Sequence, residues 1–193
     1  MEAFDYGMGL VSIVIGIAIS DLALSFHKLF RHRHTVSWDA RTLLAAAFTF
    51  VVLFSMWFEL WSVHGRPEIL NFAFLLTIIV ELMVLFLMAT AVLPDNPLPD
   101  DNLAKFYDDN ARSIWTFFLL FEVIYVCHWL YFKLSNPNFV LAHSLGRLAA
   151  VLAVPLVAAT LALMPRHRKL HLVLIGSLLI YWIAVYSDNR IGG

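Results

Sequence analysis

Six apolar runs of about twenty residues, separated by short polar breaks, leave a chain like this few ways to fold. The runs cover roughly residues 7–30, 39–63, 69–93, 112–132, 140–164 and 170–187. A helix rising 1.5 Å per residue crosses the ~30 Å hydrocarbon core of a bilayer in about twenty residues. The breaks read RHRHTVSWDAR, HGRPE, PDNPLPDDNLAKFYDDN, KLSNPN and PRHRK. Each holds proline, glycine or clustered charge that lipid does not accept. Backbone polar groups in hydrocarbon must be satisfied within the chain, and runs of this length do so as helices. The expected fold is therefore all-α: a polytopic integral membrane protein, one domain over residues 1–193, built as a bundle of six transmembrane helices.

Composition agrees. The 193 residues are 61% hydrophobic and 14% charged, against ~45–50% and ~25% in soluble domains. A net charge of −1 gives no basis for nucleic-acid binding, so the lipid bilayer is the expected partner. The single cysteine, Cys127, excludes an intramolecular disulfide, a CxxC redox pair and a cysteine-based zinc site. The acidic start (Glu2, Asp5) and the length of the first run argue against a cleaved signal peptide. Breaks one, three and five carry Lys28, Arg31, Arg33, Arg41, Lys105, Arg112, Arg166, Arg168 and Lys169. The other side carries Arg66, Lys133, Arg147 and Arg190. The positive-inside rule then puts the odd loops in the cytoplasm and both termini outside.

Charge inside the runs is the main functional signal. Glu81 and Glu122 fall near the midpoints of runs three and four, and Glu59 lies in the outer half of run two. A charged carboxylate at the bilayer centre costs ~2.5–3.5 kcal/mol on the insertion scale. Arg147 is the one permanent cation at comparable depth. If it pairs with Glu59, then Glu81 and Glu122 have no cation. They must be protonated, face water, hold a bound cation, or serve as hydrogen-bonded glue between helices. Asp21 sits toward the cytoplasmic end of run one, where pairing with Lys28 at i+7 is the plain expectation.

Histidine gives a second constellation. His64, His128 and His143 fall in the outer third; His27 and His171 fall near the cytoplasmic rim. Two such layers in a six-span bundle would suit bis-imidazole ligation of haem b, as in cytochrome b561-like proteins, which the layout resembles. Four of the five lie at run ends, where histidine needs no metal. His128 is about 120° round the helix from Glu122, so these two do not share one centre on one helix. A metal site from Glu59, His128 and His143 lacks a supporting spacing motif. The acidic third break lacks EF-hand spacing; Asp100, Asp101 or Asp109 capping a helix explains it. No serine has a nucleophile context, so a non-enzymatic role is expected.

Ser12, Gly16 and Ser20 in run one, and Gly146, Ala149, Ala150 and Ala153 in run five, form small-residue faces. These suit close helix packing within a protomer or in a homo-oligomer. The opening FDYGMGLVSIVIGIAISDLALSFHKLF resembles the start of a group of small six-span bacterial inner-membrane proteins. That resemblance covers about thirty residues, implies a bacterial inner-membrane location and implies no activity. The chain also has an echo of bacterial relatives of the endolysosomal potassium channel, but Glu2-Ala3-Phe4-Asp5 lacks their arginine and their serine. Their pore residues are not carried over. The residues themselves favour a small channel or transporter-like protein that handles protons or cations through Glu81 and Glu122. Two alternatives stand beside it: a haem-b electron-transfer protein, and a non-catalytic subunit of a larger membrane complex.

Overall fold

Hydrocarbon rewards one solution for the backbone, and the chain adopts it. The structure, a computed structural model, describes residues 3–62, 71–134 and 145–187. They form six helices: α1 (Ala3–Arg31), α2 (Ala40–Ser62), α3 (Phe72–Val92), α4 (Leu103–Leu134), α5 (Leu145–Leu163) and α6 (Arg168–Tyr186). Five are long and apolar enough to cross a membrane; in α5 the apolar stretch is the shorter Val151–Leu163. The molecule is an α-helical bundle of membrane type.

Packing order differs from chain order. α3 lies between α1 and α4, α4 between α3 and α5, and α2 touches α1, α3, α4 and α6. α2 is thus the most central helix, and α5 and α6 touch each other only weakly. The helix ends that carry Arg31, Arg41, Lys105 and Arg168 gather at one end of the bundle, here called the basic end.

α1 packs through Met8, Val11, Ile15, Ala18, Leu22, Ser25 and Leu29. Those steps of three and four residues make one continuous stripe. The Ser12–Gly16–Ser20 face points the other way and is exposed, and no atom lies within 4 Å of a Cβ built on Gly9 or Gly16. Of that face only Ser12 is met by another helix among the described residues, its Oγ accepting from Trp57 Nε1 of α2 at 3.3 Å.

The start of α4 also departs from expectation. Run four was placed at 112–132, yet the helix starts at Leu103 and runs 32 residues. At 1.5 Å per residue it is about 48 Å long, well beyond the hydrocarbon core. The cap is Asn102, whose Oδ1 accepts from the amides of Ala104 and Lys105. Asp101 instead accepts from the Leu98 amide, and Asp100 takes a φ of 72° in the turn before it. Leu103 and Tyr107, both within the third polar break, are fully buried.

That extra length meets the loop before α2. Ser37 and Asn102 form an isolated parallel bridge, with Ser37 donating to the Asp101 carbonyl and Leu103 donating to the Ser37 carbonyl. Asp39 then caps α2: its Oδ1 accepts from the Arg41 amide and from Arg41 Nε, each at 3.0 Å. The Arg41 guanidinium also bonds Asp108 on α4 and lies 4.9 Å from the centre of the Tyr107 ring. Arg168 Nη2 lies 3.2 Å from Asp39 Oδ2. Asp39 and Arg41 are both almost completely buried. One charged clasp therefore joins α2, α4 and α6 at the basic end.

Removing one partner of a buried ion pair leaves the other charge uncompensated, at a cost of about 3–5 kcal/mol. Arg41→Gln is expected to lower stability by about that much, and Arg41→Lys by less, because lysine keeps the charge and loses the fork. Thermal unfolding of the detergent-solubilised chain checks both. Wild-type melting of Arg41→Gln would show that the clasp holds nothing.

Candidate functional site

Glu81 stands about 14 Å along α3 from its first residue, close to the middle of the span. Isoleucine, leucine and valine around it give its helix no polar face, so the neighbouring helix must supply a partner. α4 does. Glu81 is 1% exposed, and Oε2 lies 3.2 Å from Nδ1 of His128. The contact has ion-pair distance without the direction of a good ring N–H bond, which leaves both Glu81 oxygens short of a hydrogen-bond partner. Glu122, also on α4, is 2% exposed, and its Oε1 has no hydrogen-bond partner either. Glu81 and Glu122 are close enough to repel each other as charges.

The His128 proton can be followed further. Nε2 lies 2.8 Å from the Thr77 hydroxyl. That hydroxyl donates its single hydrogen to the Phe74 carbonyl at 2.7 Å. Its oxygen is then the acceptor, and His128 Nε2 carries hydrogen. Nδ1 consequently faces Glu81 in one of two ways. Either it too is protonated and opposes a carboxylate, or it is a lone pair opposing a protonated carboxyl. Both arrangements hold one proton between the two residues and have zero net charge. Such a pair can exchange that proton at unchanged net charge once the ring turns to aim Nδ1 at the carboxyl.

Exposure falls along the same line. Thr77 is exposed, the His128 side chain is 17% exposed, and Glu81 and Glu122 are buried. Glu59, on α2, completes the group from a third helix. Its Oε2 accepts from the Tyr186 hydroxyl at 3.2 Å, Tyr186 bonds Tyr125, and Glu59 interacts electrostatically with Glu81.

The other sequence candidates are placed as follows. The side chain of Arg147, His64 and His143 lie outside the described residues, and so does the expected Glu59–Arg147 pair. Asp21 is half-buried with Oδ2 unbonded. The expected Asp21–Lys28 pair is absent: Lys28 Nζ donates to the Asp95 carbonyl at 2.7 Å, tying α1 to the loop after α3. His27 is exposed. His171 is buried with both ring nitrogens engaged, Nδ1 with the Tyr107 hydroxyl at 2.7 Å and Nε2 with the Met164 carbonyl at 3.0 Å. Trp115 Nε1 donates to the same Tyr107 oxygen at 2.8 Å. Tyr107 thus donates to His171, which donates to Met164, and every polar atom in the chain is used. A haem iron would have to displace one of these bonds. Among the described residues no group of three or more His, Cys, Asp or Glu is arranged to hold a metal ion.

Two features escaped sequence reasoning. Asp39 precedes an apolar run, which is a visible N-cap signal, but Asp108 lies 67 residues beyond Arg41. His128 was assigned to a histidine layer, when its neighbour is a carboxylate on the adjacent helix. With fold and site in view, the chain is a small α-helical integral membrane protein with an acid–imidazole cluster inside its bundle. Comparison with protein-family models, curated proteins and solved structures returned no match.

The Glu81–His128 contact makes a direct prediction. His128→Ala takes the partner from a buried carboxyl, at a cost of about 1–3 kcal/mol. Adding Glu81→Gln should recover part of that loss, because the amide is neutral. A double-mutant cycle on thermal unfolding measures the coupling. Additive effects of the two substitutions would mean that the residues do not interact.

Proposed function

We propose that this protein is a small multi-pass channel or transporter-like protein that moves protons, or cations in their place, across its membrane through Glu81 and Glu122. In this reading the chain spans the membrane six times, with both termini outside and the basic end in the cytoplasm of a bacterial inner membrane. Thr77 and His128 form the outer approach, Glu81 exchanges a proton with His128, and Glu122 receives it. Glu59 tunes the group from α2 and pairs with Arg147 in the outer half. Asp21 is a carboxylate on the cytoplasmic side.

One observation carries the reading: two mid-span carboxyl groups on adjacent helices are almost fully buried, yet three of their four oxygens lack a hydrogen-bond partner. Structural glue between helices would satisfy those oxygens. Intramembrane ionisable residues are costly and mark ion or proton pathways by default. The adjoining imidazole favours protons over other cations, since it relays protons and repels cations once charged.

Proteoliposomes loaded with a pH-sensitive dye provide the test. Under an imposed potential the wild-type protein should acidify or alkalinise the lumen faster than empty vesicles do. Glu81→Gln and Glu122→Gln should each return the rate to that of empty vesicles, and Glu59→Gln should reduce it less. No flux from correctly folded wild-type protein, or unchanged flux in both glutamine variants, would sink the proposal and leave a non-catalytic subunit as the better reading. Haem is checked on the same sample by visible absorbance, where no Soret band is expected.

Orientation has its own test. In a Cys127→Ser background, cysteines placed at His34 and Leu98 should resist membrane-impermeant maleimide in intact cells and react after lysis. Labelling of either in intact cells would invert the topology.

A further inference from the structure

α5 and α6 meet only weakly, and the gap between them is a cavity of about 300 Å³. Ala153, Val154 and Val157 form one wall, and Leu174, Leu178 and Tyr181 form the other. The surface beside it is exposed and apolar, with Leu152, Leu156, Val173 and Ile180 pointing outward. A groove set in such a belt opens on lipid rather than water.

Its position along α6 is informative. Leu174 and Tyr181 lie five and twelve residues beyond Lys169, or about 8 and 18 Å along the axis. One leaflet of hydrocarbon is roughly 15 Å thick. The groove therefore occupies the leaflet adjoining the basic end. At its mouth is the α5–α6 turn, where Arg166, His167, Arg168 and Lys169 are all exposed. Arg168 is committed to Asp39. Arg166 and Lys169 form no ion pair among the described residues. Lys169 lies about 140° and 180° round α6 from Leu174 and Leu178 and so faces away from the groove. Arg166, in the turn itself, is the free cation at the end where a phosphate would lie if an acyl chain filled the groove.

We infer that the α5–α6 groove is a binding site for an anionic phospholipid, one acyl chain between the helices and the phosphate on Arg166. The apolar lining accepts any acyl chain, so selection between lipids falls to that cation. A zwitterionic lipid satisfies it less well, because its own ammonium opposes the guanidinium.

Electron spin resonance on the full chain in phosphatidylcholine vesicles tests this. Trace chain-labelled phosphatidylglycerol is compared with chain-labelled phosphatidylcholine of the same chain length. The phosphatidylglycerol label should show the larger immobilised fraction, and high salt should shrink the difference. A basic residue near a membrane surface is worth enough to change affinity about fivefold, so Arg166→Gln should reduce the preference by about fivefold at most. Ala153→Phe fills the groove from an exposed position and should remove the selective component while leaving the ordinary boundary lipid. Equal immobilisation of the two lipids overturns the proposal, as does a preference that survives the charge variant. If Ala153→Phe dissociates an oligomer seen by analytical ultracentrifugation, a second copy of the chain fills the groove and the lipid site is wrong. Unchanged melting of both variants confirms that the readout concerns binding.

Discussion

Hydrocarbon cannot hydrogen-bond, and every polar group this chain carries into the bundle has to be answered from within. The backbone answers by becoming helix. Hydroxyl side chains answer by bonding back to their own helix, as Thr49 does to the Ala45 carbonyl and Ser55 to the Val52 carbonyl. Ser55 also accepts from Trp182 on α6, so one hydroxyl serves two helices. Charged groups have no such local remedy. Where they stand, and whether they are answered, separates the parts of the molecule that hold it together from the part that stands out as a site.

The two buried polar clusters behave differently. At the basic end Arg41 and Arg168 balance Asp39 and Asp108, and Trp115, Tyr107, His171 and Met164 form an unbroken chain of donors and acceptors. Each long side chain there has a defined role in joining α2, α4 and α6. The mid-span cluster has the opposite character. Glu81, His128 and Glu122 share too few donors, and three carboxyl oxygens are left over. The same chain builds a better satisfied network some fifteen residues back along α4, where Asp39 Oδ2 alone lacks a hydrogen-bond partner and is faced by Arg168. Under-satisfied polar atoms in a buried cluster call for an explanation, and on the proposed reading that explanation is proton exchange.

Much of the first cluster was hidden from the sequence, and the reason is distance. Arg41 and Asp108 are ordinary loop charges until the fold brings them together, and counting them as loop charges also set run four nine residues too short. Depth, by contrast, was legible. Glu81 and Glu122 can be placed near mid-span by counting at 1.5 Å per residue, and both prove buried. Direction was the hard part. In a membrane both faces of a helix are apolar, so hydropathy does not say which face turns inward. The small-residue face of α1 illustrates this, since it is exposed while Met8, Val11 and Ile15 are buried. His128 illustrates it again. Its neighbour is Glu81 on α3, which no single-helix argument contains.

On the proposed reading the pathway has an approach and a barrier. Thr77 and His128 lead inward from the end of the bundle opposite the basic one. Beyond Glu122, toward the basic end, lie Phe121, Phe118 and Trp115 on α4, faced by Phe48 on α2 and Trp182 on α6. Phe48 packs edge-on to Phe118 at 4.9 Å and to Trp182 at 5.8 Å, with Trp115 stacked at 6.0 Å. These five rings are buried and leave the two indole N–H groups spent on Tyr107 and Ser55. A proton on Glu122 meets no acceptor in that layer, and an apolar constriction of this kind also excludes water. On that reading the geometry is that of a closed state. Transfer to the basic end requires the aromatic layer to part, and the helices that would part, α2, α4 and α6, are the ones the Arg41 clasp holds together. Stability and conduction then oppose each other through one arginine, because loosening the clasp weakens the fold and frees the barrier in the same step.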